Sequence, residues 1–165
     1  MGGRGLPSDL SQAVVRDGRF VTSPLEGPIE ELLRILERRE AAAPVSGAAA
    51  GLQNTVIQKG GRALEGEAAR LEKLARDPRP EVRRTALWGL ARTGRYEVVP
   101  VLIDALRDPD PGCAREARRA LRTMSRKPDG FGLPETLDAK QLEQEIEKWT
   151  EWYWSVRPYD ELAEP

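Results

Sequence analysis

The residues most suited to chemistry in this chain are arginines spaced around a tryptophan. Glu81, Arg84, Trp88 and Arg92 fall at i, i+3, i+7 and i+11, which a helix would place on one face. A shift of 31 residues maps Arg84 onto Arg115 and Trp88 onto Arg119. Arg and Trp are the types enriched at binding hot spots, and a guanidinium suits carboxylate or phosphate groups. Arg84, Trp88, Arg92, Arg115 and Arg119 are therefore the candidate partner-binding residues. The plainer reading is that the arginines solvate a helix face and Trp88 packs between repeats.

Other constellations are weaker. The sequence contains no His, which removes His-based triads and His metal clusters. The single cysteine, Cys113, aligns with an apolar position, Val82, in the 31-residue register. A buried thiol fits it better than a nucleophile, which needs an exposed and activating site. Structural zinc requires several Cys or His ligands. Lys59-Gly60-Gly61-Arg62 has the wrong order for a phosphate loop and reads as an interhelix turn. Glu143, Glu147 and Glu151 lie at i, i+4 and i+8. An acid–base pair needs burial to separate its pKa values, so a solvated face is the reading here. No catalytic residue, cofactor or metal site is expected.

Composition agrees with a helical globular protein. Charged residues are 32% and aromatics only 5% of 165 residues, and Ala, Leu, Arg and Glu, all strong helix formers, dominate residues 28–127. The net charge of −1 hides a split. Residues 64–127 carry 15 basic and 10 acidic side chains, and residues 128–165 carry 3 and 10. A +5 block is thus followed by a −7 region. One cysteine excludes an internal disulfide. There is no apolar run of membrane-spanning length and no secretory pattern at the start, so a soluble, cytoplasmic protein without membrane contact is expected.

The elements that must hold these residues are legible from periodicity. A short helix is possible near Ser8–Val15, and residues 18–22 suit a brief extended stretch. Ile29, Leu32, Leu33 and Leu36 mark a helix over 28–42, and a weaker one covers 46–58. Leu64, Ala68, Leu71 and Ala75 mark a helix over 63–76; Val82, Ala86, Gly89 and Leu90 mark one over 80–93, ended by Gly94. Helices over 95–107 and 111–125 follow, separated by Asp108-Pro109-Asp110-Pro111. Asp77-Pro78, Leu71, Ala86 and Leu90 recur 31 residues on as Asp108-Pro109, Leu102, Ala117 and Leu121. Two helices per such period is the mark of an α-solenoid, whose hairpins bury their apolar faces only by stacking. A last helix starts at Asp138, with Gln141 completing a capping box. Its stripe is Leu142, Ile146, Trp149, Tyr153 and Val156, bordered by Trp152, and Trp154 lies off it.

These repeats resemble HEAT repeats, in particular the bacterial HEAT-like type related to phycobilisome-lyase repeats. The resemblance rests on "VVPVLIDALRDPDP", with Pro100 and Asp108, and on Asp77 followed by Val82 and Arg83. Such Asp and Arg side chains form a ladder between stacked repeats in the family. Here Ala114 stands where the second rung's Arg is expected. The resemblance implies an all-α solenoid of helical hairpins with a Trp-rich C-terminal capping helix. It implies three parts: a flexible segment 1–27, repeats 28–137, and a capping helix with acidic tail 138–165. It also implies that the second helices line the concave face, so that the five candidate residues form one basic surface. The expected function is a non-catalytic scaffold that binds a protein partner with an acidic surface, with Asp160, Glu161 and Glu164 of the tail shielding that face. The alternatives are a HEAT-like nucleic-acid binder, opposed by the acidic C-terminal region, and a chromophore-lyase-like enzyme.

Overall fold

The computed structural model describes residues 13–16, 19–22, 24–38 and 44–157, the first two stretches as backbone alone. Most of the segment 1–27 and the acidic tail after Pro158 lie outside the described residues, and the shielding role with them. The chain divides into two compact units, Met1–Leu64 and Glu65–Pro165.

In the first unit, β1 (Ala13–Arg16) pairs antiparallel with β2 (Arg19–Thr22), Val14 opposite Val21 and Val15 opposite Phe20. The extended stretch expected at 18–22 is β2, but residues 13–15 are strand rather than the end of a helix. Two adjacent valines beside a Phe-Val pair favour pairing over an isolated helical turn. Helix α1 (Ile29–Glu37) buries Leu32, Leu33 and Leu36 and packs on α2 (Val45–Lys59). It ends sooner than residue 42, because Arg38 is extended: the four residues after Leu36, Glu-Arg-Arg-Glu, offer nothing apolar to hold the next turn. On α2, a Cβ at Gly51 would lie 2.1 Å from the Leu25 carbonyl oxygen. Only glycine lets the segment before α1 cross so closely, and the Leu25 N–H donates to the Gly47 carbonyl at 2.9 Å.

The second unit holds the repeats. The helix expected over 63–76 is split. Gly61–Leu64 is a 3-10 turn belonging to the first unit, Gly66 is left-handed at φ 81°, and α3 runs only Ala68–Leu74. α4 (Pro80–Thr93) starts on a proline that lacks the N–H its first turn cannot use and ends at Gly94, φ 67°. The stretch 95–107 is likewise in pieces: a 3-10 turn at Tyr96–Val98, α5 (Val99–Asp104) with Pro100 in its first turn, and a 3-10 turn at Ala105–Arg107. α6 (Pro111–Ser125) is capped by the Asp110 carboxylate, which accepts from the Cys113 N–H at 2.9 Å. α3 packs on α4, α4 on α6, and α5 on α6. Leu71, Leu90, Leu102 and Leu121 are all fully buried, as the period requires.

The two Asp-Pro turns are built alike. Asp77 accepts from the Arg79 N–H and Asp108 from the Asp110 N–H, each at 2.9 Å. Arg83 ties the turns together. It grips Asp108 with two bonds of 2.8 Å and donates to the carbonyls of Asp77 and Pro78 at 3.0 and 3.1 Å. This is the ladder rung that the resemblance implied.

α7 (Ala139–Val156) begins with the expected Asp138–Gln141 capping box. It lies against α5 and the 3-10 turn Ala105–Arg107. Its buried face centres on Glu145 and Trp149, turned from the apolar stripe read from the sequence. The cause is a buried ion pair: Arg118 Nε donates to Glu145 Oε1 at 2.8 Å, and Trp149 Nε1 donates to the same oxygen at 3.1 Å. Phe131 and Trp152 meet the Trp149 ring edge-on at 4.6 and 5.7 Å, and Trp152 in turn meets Tyr96. Trp154 stays 54% exposed, with the Arg157 guanidinium 3.6 Å from its ring centre. The second unit is thus a stack of HEAT-like helical hairpins closed by a Trp-rich helix. Among the described residues the only strands are β1 and β2, which precede the repeats.

Candidate functional site

The second helices of the two repeats, α4 and α6, carry the arginine face. Arg84 and Arg92 are exposed on α4 with Trp88 half-buried between them, and Arg115 and Arg119 are exposed on α6. The Arg92 guanidinium sits 4.8 Å from the Trp88 ring centre, a cation–π contact that fixes both side chains. Arg84 crosses to the start of α6. A Cβ at Gly112 would lie 3.2 Å from its Nη1 and 3.0 Å from Asp110 Oδ2.

At the middle of this face stands a residue the sequence analysis did not single out. Glu116 is half-buried. Burial pushes its carboxyl above the usual range, and the charges of Arg119, Arg92 and Arg84 pull it back. The Arg119 Nη1 is 3.6 Å from its Oε2. Arg119 is in contact with this carboxylate, and the charges of Arg84 and Arg92 from the preceding repeat act on it. Glu116 is the 31-residue equivalent of Thr85, a buried residue whose hydroxyl donates to the Glu81 carbonyl at 2.9 Å.

Arg115 and Arg119 also belong to a second cluster. With Arg118, Arg122, Arg126 and Glu135 they line an open cleft of about 470 Å³. Glu135 comes from the loop between α6 and α7. Its carboxylate accepts from Arg122 Nη1 at 3.1 Å and lies 3.8 Å from Arg118 Nη1. Arg122 first, then the charge of Arg118, holds it below the ordinary carboxylate range. Arg118 anchors the loop by its backbone, donating to the carbonyls of Leu133 and Glu135 at 3.1 and 3.2 Å. The Glu135 side chain itself is 74% exposed.

The remaining candidates are quiet. Cys113 is buried and its thiol donates to the Pro80 carbonyl at 3.2 Å; burial raises its pKa to about 11. Lys59–Arg62 is the turn after α2, with Gly60 at φ 83°. Glu143, Glu147 and Glu151 are exposed, and Glu143 pairs with Arg107. Among the described residues, no three His, Cys, Asp or Glu side chains are grouped to hold a metal ion, and no helix is long and apolar enough to cross a membrane.

A family model of HEAT repeats matches residues 67–139, from the turn before α3 to the first residue of α7. No curated relative and no solved structure matches the chain.

Proposed function

We propose, from a chain that carries HEAT repeats over residues 67–139, that this protein is a non-catalytic cytoplasmic scaffold. In this reading it binds an acidic protein partner through the face of α4 and α6. HEAT repeats commonly serve as protein-interaction scaffolds, and stacked repeats present equivalent positions side by side as one extended surface. The observation that carries the reading is the exposed set Arg84, Arg92, Arg115 and Arg119 on α4 and α6, beside the Trp88–Arg92 stack. Only Arg119 of these is in contact with Glu116, which leaves the face cationic. Trp88 offers a half-buried ring, an anchor of the kind that dominates interface energetics.

Nucleic-acid binding is the weaker reading of the same residues. A duplex is a continuous polyanion that must also pass the −7 region of residues 128–165, whereas an acidic patch on a protein need engage only the arginines. The discriminating experiment immobilises the full chain and compares wild type with Arg84→Glu/Arg92→Glu for retention of acidic proteins. Circular dichroism verifies the fold of the variant. The reading expects proteins retained by wild type to be lost from the variant. Equal retention would place binding elsewhere. Retention of duplex DNA with a steep salt dependence would favour the nucleic-acid reading.

A further inference from the structure

Glu135 borders two neighbouring clefts that differ in the side chains lining them. One is the arginine cleft of about 470 Å³. The other is a smaller one of about 290 Å³, lined by Leu106, Ala114, Leu137 and Leu142, with Glu145 also in its wall. Arg115, Arg118 and Glu135 border both. Glu145, in the wall of the smaller cleft, has one oxygen, Oε2, that is buried without a hydrogen-bond partner among the described residues, although Oε1 takes both Arg118 and Trp149. A buried carboxylate oxygen left unpaired is costly.

From this arrangement we infer that the two clefts form one bipartite site for a peptide segment that carries carboxylates next to an aliphatic side chain. Glu135 is the internal carboxylate that holds the ligand's place. The inference rests on the reading of an acidic protein partner and names what that partner offers. The carboxylates enter among Arg115, Arg119, Arg122 and Arg126, and the aliphatic group enters between Leu106, Leu137 and Leu142. The charge arithmetic supports it. Arg118 is neutralised by Glu145 and Arg122 by Glu135, and Arg119 is 3.6 Å from Glu116. Arg115 and Arg126 line the cleft with no ion pair among the described residues. Along α6, Arg115, Arg119 and Arg122 rise in steps of roughly 4.5 to 6 Å, with Arg126 at the helix's C-terminal cap, a row that suits successive carboxylates of one segment. The place-holder is easily moved. Its backbone is pinned by Arg118, but its side chain is mostly in water, where an ion pair is weak.

The test uses the full chain and two fluorescein-labelled nonapeptides, one of Leu-Glu-Glu repeats and one of glutamate alone, read by anisotropy. Wild type should bind the first at least about fivefold more tightly, because only it fills the apolar cleft. Glu135→Gln should bind it about three- to fivefold more tightly than wild type, the gain expected from removing an exposed competing ion pair. Arg115→Glu/Arg126→Glu should lose at least about tenfold. Arg115→Gln/Arg126→Gln should show a smaller loss, and far-UV circular dichroism tracks folding in both. Equal affinity for the two peptides, or no gain in Glu135→Gln, overturns the bipartite site. Displacement of the peptide by millimolar inorganic phosphate overturns its choice of carboxylate. If Arg84→Glu/Arg92→Glu abolishes peptide binding and Arg115→Glu/Arg126→Glu does not, the α4 face stands and the cleft falls. The converse result keeps the cleft and removes the α4 face from the functional reading. No binding of either peptide to wild type overturns the cleft alone, because the α4 face is tested separately by protein retention.

Discussion

Two arginines do structural work through opposite geometries, and each carries its own prediction. Arg83 is a half-buried strut whose four bonds all end on the two Asp-Pro turns. Asp108→Ala removes two of those bonds and leaves the guanidinium facing an emptied turn. It should destabilise by about 2–3 kcal/mol in urea unfolding; a loss below about 0.5 kcal/mol would show the rung to be ornamental. Arg118 is fully committed instead, with its side chain 6% exposed and that of Glu145 2% exposed. Glu145→Leu strands a buried cation and should cost about 3–5 kcal/mol. Arg118→Leu/Glu145→Leu should cost less than the sum of the two single changes, because it leaves no buried charge unpaired. Additive losses would mean that the two side chains are not coupled. The sequence could not have pointed to this pair. Its partners are 27 residues apart, and no period or motif links them. Glu116 was no more legible, because its repeat equivalent Thr85 is no member of the apolar stripe of Val82, Ala86, Gly89 and Leu90 and its burial shows only in the structure.

At the scale of elements, the 31-residue period carries most of the information, since it aligns core positions across units that stack. It brings Leu71, Leu90, Leu102 and Leu121 into one core and foretells the paired Asp-Pro turns. Leu102→Ala, at a fully buried site on α5, should destabilise by about 2–5 kcal/mol. A loss under about 1 kcal/mol would mean that the site collapses freely around the missing methyls. Helix lengths were less legible, because glycine and proline act through dihedral angles that periodicity does not record. Gly66 at φ 81° shortens α3, and Pro100 sits in the first turn of a short α5. The orientation of α7 was misjudged for another reason. A hydrophobic stripe assumes that the buried face is the apolar one, and here a carboxylate lies at its centre. Trp149 is nonetheless fully buried. Deleting residues 138–165 should therefore uncover the α5 side of the repeats and leave Arg118 without its counter-charge. The truncated chain should aggregate or melt earlier in light scattering and thermal unfolding. An unchanged melting temperature in a monomeric fragment would remove the capping role of α7.

For the molecule as a whole, charge is organised rather than large, and its pH response follows from that organisation. Glu97, Asp110, Glu135 and Glu143 sit below their ordinary range. Glu97 is held by its own backbone N–H and by Arg95, Asp110 by the Cys113 N–H, Glu135 by Arg122, and Glu143 by Arg107. Each favours the folded state fully above the unfolded pKa, near about 4, and loses that contribution as pH falls through its lower folded value. Glu116 runs the other way: its raised pKa favours folding at low pH and loses that as pH rises through the folded value. The melting temperature should hold steady from neutral pH to about pH 5 and then decline toward pH 2. A melting temperature that rises on acidification would show the ion pairs to be outweighed by Glu116. One further consequence comes from the buried sulfur between the two repeats. Cys113 is the chain's single thiol, and at neutral pH it is both protonated and out of reach of a disulfide reagent. Modification of the folded chain must therefore wait for α4 and α6 to part. Where reclosing outruns the reagent, the labelling rate reports the free energy of that opening; where the reagent outruns reclosing, it reports the opening rate itself. Raising the reagent concentration moves the same side chain from the first regime to the second. This chain therefore carries its own chronometer for the separation of its repeats, in the one place where its two Asp-Pro turns are joined.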